Sequence, residues 1–462
     1  MHRHAIHLVS AVSLCLPCAG QVVMTHLAGF DVSTLGIGTT ASSVAWNGTD
    51  LVVGGYNNGS LLAAVALARC SNALTNPVWS APFGVEPGTN PQRGFINLAF
   101  DGAGVRLAVG YDNGAAPVAP DGLQLWIGGT QSWVRAGRGS SGVGFDPGWP
   151  GGTALGRGVA WARFGTTGRA LQDALLGADL WTFASGMNLN VPGLGTFFRD
   201  LDFDDANGDI YLRASNNVVV GQRTGDNDCT MLLFADANDA DTVALQNVAV
   251  VRTPTGAVVL WNDRFQTAMG QSWFDVVKAT RLDGTPDRID WGTFQPPTGT
   301  GAYDFSFHAG TGTLAISDFA NRRVHLFAVS VPPHHRYGSG CAGVGGVVPV
   351  LDGSSALQPG TGGAFTWALA GFAPNSLALV ALGTDRLDLP LGGGCTLRVD
   401  PLLVALGPYV SGAGAAGSGF GSAPLTFPGG FAGFGVTAQG IVLENFALAS
   451  LVFSNGLQLV LP

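Results

Sequence analysis

The sequence predicts an all-β protein with two domains, a six-bladed β-propeller followed by a β-sandwich-like domain. Three observations predict this fold. A short phrase recurs six times before residue 310, at intervals of 42 to 61 residues. Glycine is abundant, at 70 residues, while 46% of the chain is hydrophobic and only 11% is charged. The repeat pattern ends at Pro332-Pro333, and a glycine-rich segment with short apolar runs follows. A repeat of this length built from short strands is typical of a propeller with one blade per copy.

Each copy of the phrase reads polar, apolar, small, apolar, and is followed by a turn and a second apolar run. The period-two alternation of strands places the small residue on one face and the large residues on the other. Small residues suit the inner strands of a propeller, where neighbouring blades approach most closely. The six copies begin at Ser43, Asn97, Gly158, Asp200, Asn247 and Asp304.

Residues 1–20 are predicted to be a secretory signal peptide. His2 to His4 give a weakly positive start, residues 5–16 are apolar, and Cys18-Ala19-Gly20 provides small residues before a cleavage point at Gln21. We therefore expect a protein that is secreted or held at the cell surface. No later segment has the length of a membrane-spanning helix. The predicted domains are a propeller over 21–331, a linker over 332–340 and a glycine-rich β-sandwich-like module over 341–462.

Removal of the signal peptide leaves four cysteines, Cys70, Cys229, Cys341 and Cys395. An even number in an oxidising compartment is compatible with two disulfides. We predict a Cys341–Cys395 bond, because both cysteines lie in the same glycine-rich C-terminal segment. A Cys70–Cys229 bond would have to join separate blades and is left open.

The last copy of the repeat carries a family resemblance over residues 314–327. A strand ends at Asp318, and Asn321-Arg322-Arg323 leads into a second strand, which is similar to the phrase of the NHL repeat. The other five copies lack this Asp…Asn-x-Arg core, so the resemblance implies a propeller blade and no activity. Residues 25–32 are expected to supply the fourth strand of this blade, because pairing the two ends of the domain removes free sheet edges.

Pro332-Pro333-His334-His335 breaks the repeat pattern and is interpreted as a linker stiffened by proline. The region that follows contains many short apolar strands between glycines, as in a small β-sandwich. It is similar to a C-terminal module of exported bacterial proteins, and this resemblance implies surface attachment or display. The matching features are the opening Tyr337-Gly-x-Gly-Cys341, Ala-Pro-Asn-Ser at 373–376, Cys395, Gln439, and Ser-Asn-Gly-Leu at 454–457.

The polar residues that open the phrases are candidate metal ligands. Equivalent positions on the innermost strands surround the central channel of a propeller, and carboxylate and amide oxygens are the ligands that calcium prefers. Asp202 follows Asp200 by two residues and so points the same way. The alternative interpretation is that these residues cap the turns that lead into strands. The candidate ligands are Asn97, Asp200, Asp202, Asn247 and Asp304.

Several function classes are excluded or disfavoured by the sequence. A net charge of −9 without a basic run argues against nucleic acid or an anionic membrane as a partner. Neither an HExxH nor a GxSxG motif occurs. Tryptophans beside strands are interpreted as packing between blades, with a carbohydrate groove as the alternative. These tryptophans are Trp46, Trp126, Trp161, Trp181 and Trp261.

The sequence therefore predicts an exported, non-catalytic binding or structural protein of the cell surface or extracellular space. Its partner would be an extracellular protein or a carbohydrate, and it would need no cofactor. The alternative is a calcium-dependent hydrolase or lyase with the metal in the propeller channel. Some six-bladed lactonases hold a channel calcium with similar ligand types, and the resemblance to them concerns the kind of residue only.

Overall fold

A computed structural model describes residues 21–57, 64–86, 93–112, 122–136, 142–148, 150, 158–162, 170–173, 179–182, 198–214, 217–225, 228–236, 247–262, 273–295, 301–446 and 450–462. The predicted signal peptide lies outside these residues. The chain forms two compact units that divide between Val331 and Pro332. No helix in the described residues is long and apolar enough to cross a membrane.

The first unit, Val22–Val331, is an all-β propeller with six blades among the described residues. Its first strand is β1 (Val22–Asp31). Blade 1 contains β2 (Thr40–Trp46), β3 (Leu51–Tyr56), β4 (Val65–Ser71), β5 (Val78–Trp79) and β6 (Phe83–Glu86). Blade 2 contains β7 (Gly94–Phe100), β8 (Arg106–Asp112), β9 (Gly122–Ile127) and β10 (Thr130–Ala136). Blade 3 contains β11 (Gly142–Phe145), β12 (Gly158–Ala162), β13 (Ala170–Asp173) and β14 (Asp179–Thr182).

The remaining blades follow the same antiparallel plan. Blade 4 contains β15 (Phe198–Phe203), β16 (Ile210–Ala214), β17 (Asn217–Gly225) and β18 (Asp228–Asp236). Blade 5 contains β19 (Val248–Thr253), β20 (Gly256–Asn262), the short helix α1 (Trp273–Val276), β21 (Val277–Arg281) and β22 (Pro286–Asp287). After β23 (Ile289–Asp290), blade 6 contains β24 (Ala302–His308), β25 (Thr313–Asp318) and β26 (Arg323–Ser330).

The innermost strands of the blades form a closed ring. Each of them contacts the inner strand of the next blade, and β24 of blade 6 contacts β2 of blade 1. The ring confirms the predicted six-bladed propeller. Its members are β2, β7, β11, β15, β19 and β24.

The third blade differs from the prediction. The phrase beginning at Gly158 lies on β12, the second strand of blade 3, and pairs with the true inner strand β11. The residue equivalent to the other phrase openings is therefore Gly142. A Cβ atom there would lie 2.7 Å from the Cα atom of Asp200, so the ring has no room for a polar side chain. The sequence pattern missed β11 because Gly-Val-Ala-Trp at 158–161 matches the other copies more closely than Gly-Val-Gly-Phe at 142–145.

The first strand of the chain closes the propeller. β1 runs antiparallel to β26 and pairs along it from Val23–Ser330 to Asp31–Arg323, with an irregularity between His26 and Ala28. The predicted fourth strand at residues 25–32 is thereby confirmed. The pairing covers the outer edge of β26, which would otherwise expose unpaired backbone groups.

The apolar cores of this unit lie between neighbouring blades. Trp46 packs where blades 6 and 1 meet, Trp126 between blades 1 and 2, Trp161 between blades 2 and 3, and Trp261 between blades 4 and 5. The predicted packing role of these four tryptophans is confirmed. The side chain of Trp181 lies outside the described residues.

The second unit is a β-sandwich-like domain. One sheet has the order β27–β36–β35–β30–β33, a second has the order β28–β29–β34, and β31 and β32 form a hairpin. Its core includes Phe365, Trp367 and Leu457. Among the described residues of this unit, 3-10 turns lie at Val344–Gly346 and Glu444–Phe446. The strands are β27 (His334–Tyr337), β28 (Val350–Ser355), β29 (Gly362–Phe372), β30 (Leu377–Gly383), β31 (Asp385–Gly392), β32 (Cys395–Asp400), β33 (Val404–Val410), β34 (Gly419–Pro428), β35 (Gly435–Leu443) and β36 (Leu451–Val460).

The segment interpreted as a linker, residues 332–340, contains strand β27. His334 and His335 are buried, and β27 pairs with β36 from His334–Leu459 to Tyr337–Gly456. The backbone N–H and C=O groups of this segment find their hydrogen-bond partners in a sheet of the second unit. That unit therefore begins at Pro332 and not at residue 341. This corrects the predicted domain boundary.

The predicted disulfide between Cys341 and Cys395 is present. Cys70 on β4 and Cys229 on β18 are buried thiols that no disulfide joins. The Gln439 side chain, a matching feature of the C-terminal module, accepts a hydrogen bond from the backbone nitrogen of Arg398 at 2.9 Å. Its amide nitrogen donates to the carbonyl of Ser454 at 2.9 Å. Gln439 therefore has a structural role, which is to tie the β31–β32 hairpin to the larger sheet.

Candidate functional site

The polar residues that open the phrases lie together on the inner strands. We call this set the polar ring, and its side chains are almost completely buried, with exposed fractions of 0–4%. Glycine occupies the blade 3 position. The polar ring consists of Ser43, Asn97, Asp200, Asn247 and Asp304.

Asn97 and Asp200 join four successive blades, blades 2 to 5. The amide nitrogen of Asn97 donates to Oδ1 of Asp200 at 2.7 Å, and its carbonyl oxygen accepts from the backbone nitrogen of Val143 at 2.9 Å. Asp200 in turn accepts at Oδ2 from the backbone nitrogen of Val248, at 2.8 Å. The Asn97 side chain reaches Asp200 across blade 3, because Gly142, which lies between the two residues, has no side chain.

The other half of the ring repeats this arrangement. The amide nitrogen of Asn247 donates to Oδ1 of Asp304 at 2.6 Å. Oδ2 of Asp304 accepts from the backbone nitrogen of Val44 at 2.8 Å, which joins blade 6 to blade 1. The Ser43 hydroxyl completes the circuit by donating to the carbonyl of Phe95 at 2.8 Å.

The geometry explains why these positions are polar. An inner strand is the edge strand of its blade, so its channel-facing backbone groups have no partner within their own sheet. The polar-ring residue of one blade supplies hydrogen-bond acceptors for the backbone of the next blade. A second tier repeats the pattern two residues further along, where Asp202 accepts from the backbone nitrogen of Val250 at 2.7 Å. Ser306 accepts from the backbone nitrogen of Trp46 at 2.9 Å.

The carboxyl groups of the channel have raised pKa values. Burial raises the pKa of Asp304 to about 8 and that of Asp202 to about 7. It also raises the pKa of Asp200 well above its ordinary range, and the nearby charge of Asp304 adds to this effect. Two like charges in a desolvated channel oppose each other, so the Asp200–Asp304 pair resists full ionisation near neutral pH.

The predicted calcium ligands therefore already have partners in this arrangement. The side-chain oxygens of Asp200 and Asp304 accept N–H bonds, and Asn97 and Asn247 direct their amide nitrogens at those carboxyls. A calcium ion would need these oxygens and would have to displace the bonds between blades. In the part of the chain that the structure describes, no group of three or more His, Cys, Asp or Glu side chains is placed to hold a metal ion. The metal-binding role remains a prediction.

A cavity of about 210 Å³ opens at the end of the channel toward which the inner strands run. We call it the funnel. Every inner strand contributes to its lining, and each does so with the residue three positions after its polar-ring position. Five of these six residues are aromatic, and the sixth is aliphatic. They are Trp46, Phe100, Phe145, Phe203, Val250 and Phe307.

The polar groups of the funnel are mainly acidic. Asp202 and Asp205 line it, while the Arg252 guanidinium is paired with Asp204 through Nε and Oδ1 at 2.7 Å. The His308 ring contacts the Thr311 hydroxyl at 2.9 Å through Nδ1. Burial lowers the pKa of His308, so its imidazole is neutral at pH 7. The funnel thus combines aromatic faces with carboxylate acceptors and a neutral imidazole.

All five candidate ligands lie on an inner strand or directly before one, and three of them, Asn97, Asp200 and Asp202, line the funnel. The sequence did not identify the funnel: of its aromatic residues only Trp46 was considered, as a packing residue with a carbohydrate groove as the alternative. A signal was present, since an aromatic residue closes most copies of the phrase. The Gly142 position and the polar role of Ser306 were also missed.

Neither a protein-family model nor a curated protein sequence matches this chain. Among solved structures, the chain is similar to an auxiliary nutrient binding protein from Bacteroides thetaiotaomicron, with 9% identity, a TM-score of 0.42, and coverage of 68% of this chain and 76% of that chain. It is also similar to the Cps50 (Swd1) β-propeller domain of Myceliophteria thermophila, with 9% identity, a TM-score of 0.33, and coverage of 63% and 84%. At this identity the likenesses concern the fold alone.

Proposed function

We propose that this protein is an exported, non-catalytic binding protein whose funnel binds a carbohydrate. The observation that supports this most directly is the combination of aromatic side chains and carboxylates in one cavity. Phe100, Phe145 and Phe307 are half-buried, so part of each ring faces the cavity. Asp202 and Asp205 lie in the same cavity.

The chemistry of a sugar fits this lining. The C–H face of a pyranose packs against an aromatic ring, and its hydroxyls donate hydrogen bonds to carboxylates. A volume of about 210 Å³ lies below the range of about 300–1,000 Å³ that is usual for pockets of drug-sized ligands. We therefore infer that a single sugar residue enters the funnel, for example the end of a longer glycan.

Export is part of the proposal and is supported by two features. The N-terminal 20 residues have the composition of a signal peptide. The Cys341–Cys395 disulfide belongs to the type of bond that persists in oxidising compartments. The resemblance of the second unit to the module of exported bacterial proteins supports a location at the cell surface. Mass spectrometry of the exported chain is expected to find Gln21 as the first residue.

A glycan array probed with the mature chain tests the binding proposal, followed by calorimetric titration of the best monosaccharide. Phe307→Ala removes one aromatic face and is expected to weaken binding about tenfold, the equivalent of about 1.4 kcal/mol. Phe431→Ala is the matched control, because Phe431 is an exposed phenylalanine of the second unit. Equal affinities for both variants, or an array without retained glycans, would contradict the proposal.

A second candidate function is a calcium-dependent hydrolase or lyase that uses the channel. The observation that favours it is the pair of buried carboxyls, Asp200 and Asp304, whose mutual repulsion a cation would relieve. Tight calcium binding that Asp200→Asn abolishes would support this candidate over the sugar-binding proposal.

A further inference from the structure

A second cavity, of about 610 Å³, opens between blades 1 and 2. We call it the cleft. It is the open end of the apolar core that joins these two blades, a core that contains Val52, Leu107 and Trp126. Phe83 and Phe100 are half-buried against that core, and both line the cleft.

The cleft wall is apolar and aromatic. Phe83 and Trp126 meet edge to face with their ring centroids 5.5 Å apart, an arrangement that favours a further ring packed against them. Val105 lies at the rim and is 57% exposed. A ligand that covers this apolar surface removes it from water, which lowers the free energy of the system and favours binding.

The polar groups of the cleft wall are engaged with protein atoms. The Arg69 guanidinium donates through Nε to Asp50 at 3.0 Å, and the Ser80 hydroxyl donates to the carbonyl of Ala81 at 2.8 Å. The indole nitrogen of Trp126 donates to the Gln124 side chain at 3.0 Å. A charged or strongly hydrogen-bonding ligand would therefore compete with existing bonds, whereas a neutral apolar one would not.

The volume of the cleft distinguishes it from the funnel. It falls within the range of about 300–1,000 Å³ typical of small-molecule sites, whereas the funnel lies below that range. Phe100 lines both cavities and stands between them. We propose that the cleft is a second binding site, for a neutral, apolar, ring-bearing small molecule, and that it acts independently of the sugar proposed for the funnel.

The neutral fluorophore N-phenyl-1-naphthylamine is a suitable probe, because its emission rises when it leaves water for an apolar site. Titration into the mature chain is expected to give a saturable rise in fluorescence. Val105→Asp places a charge at the rim and is expected to weaken binding about tenfold, since an apolar probe bound there would remove part of that charge from water without giving it a partner. Val85→Asp is the matched control, because Val85, on the neighbouring blade 1, is exposed to a similar degree, 59%, and does not line the cleft.

A second measurement places the probe within the structure. Trp126 lies in the cleft wall, so energy transfer from tryptophan to the bound probe is expected to fall in Trp126→Phe. Directly excited probe fluorescence should still saturate in that variant. Absence of a saturable signal in the native chain, or equal weakening by Val105→Asp and Val85→Asp, would overturn the proposal. The assay contains no sugar, so its failure would leave the funnel proposal standing.

Discussion

Oδ2 of Asp304, on the last inner strand, lies 2.8 Å from the backbone nitrogen of Val44, on the first. The two residues are 260 positions apart in the chain. Their hydrogen bond joins blade 6 to blade 1 on the channel side, while β1 joins the same blade on its outer side. The two ends of the propeller are therefore held at both the inner and the outer edge of one sheet.

The polar ring is expected to contribute strongly to stability. Asp304→Ala leaves three buried donors without their acceptor, namely the backbone nitrogens of Val44 and Phe305 and the amide of Asn247. We expect a loss of about 3 kcal/mol or more in the free energy of unfolding, at about 1–3 kcal/mol per unsatisfied group. Chemical denaturation monitored by tryptophan fluorescence measures this loss.

The matched control for that substitution is Asp290→Ala. Asp290 is exposed and accepts a local bond from Gly292 in a turn, so we expect its replacement to change stability by about 0.5 kcal/mol or less. If both variants lost a similar free energy of unfolding, the hydrogen bond between blades would contribute no more to stability than the local bond in the turn.

Calcium distinguishes the two roles considered for the ring. If its oxygens serve only the bonds between blades, the melting temperature in millimolar calcium will equal that in chelator. We expect this result, because a metal would have to displace the N–H donors of Val44 and Val248. A rise in melting temperature that disappears in Asp200→Asn and Asn247→Ala would instead support a metal site.

The outer closure is expected to weaken in acid. Nε2 of His26 on β1 lies 3.1 Å from Nδ1 of His325 on β26. Burial, with a smaller contribution from His26, lowers the pKa of His325 from 6.5 to about 4. Between these values the unfolded chain binds a proton at His325 that the folded chain does not, so the contribution of His325 to the free energy of unfolding falls as pH decreases from about 6.5 to about 4. The shift corresponds to about 3 kcal/mol.

His325→Phe tests this pH dependence, because phenylalanine keeps a ring among Trp273, Phe294 and Phe327. Unfolding is measured from pH 4 to pH 7, and the free energy of unfolding of the native chain, relative to that of the variant, should fall as the pH decreases. The raised pKa values of the channel carboxyls, Asp202 among them, act in the opposite direction over this range in both chains, because their folded forms hold the proton more tightly. The difference between the two chains therefore reports on His325. Identical slopes for native chain and variant would rule out His325 as the cause.

The disulfide is expected to stabilise the second unit. Cys341 and Cys395 are separated by 54 residues, and closing a loop of that length corresponds to about 4 kcal/mol in the chain-entropy model. Cys395→Ser should make proteolysis within residues 332–462 faster, as followed by mass spectrometry. Cys70→Ser is the control, since Cys70 lies in the propeller and forms no disulfide. Equal cleavage rates would contradict this expectation.

The sequence predicted much of the fold because the repeat is a local signal. Alternation of apolar and small residues identified five of the six inner strands, and the end of the repeat at Pro332 marked the change of unit. Blade 3 was misassigned because Gly-Val-Ala-Trp at 158–161, on β12, matches the other copies of the phrase more closely than Gly-Val-Gly-Phe on β11. β27 was interpreted as a linker because its partner, β36, is more than 100 residues away.

By itself, the sequence determined that the protein is a repeated all-β chain with polar residues at the start of its inner strands, since strand period and turn chemistry are encoded in neighbouring residues. Only the tertiary structure decided what those polar residues do. Asp304 and Val44, or Asn97 and Asp200, become partners because ring closure brings distant strands within hydrogen-bond distance. The funnel and the cleft depend on closure in the same way, because each is lined by residues from more than one blade.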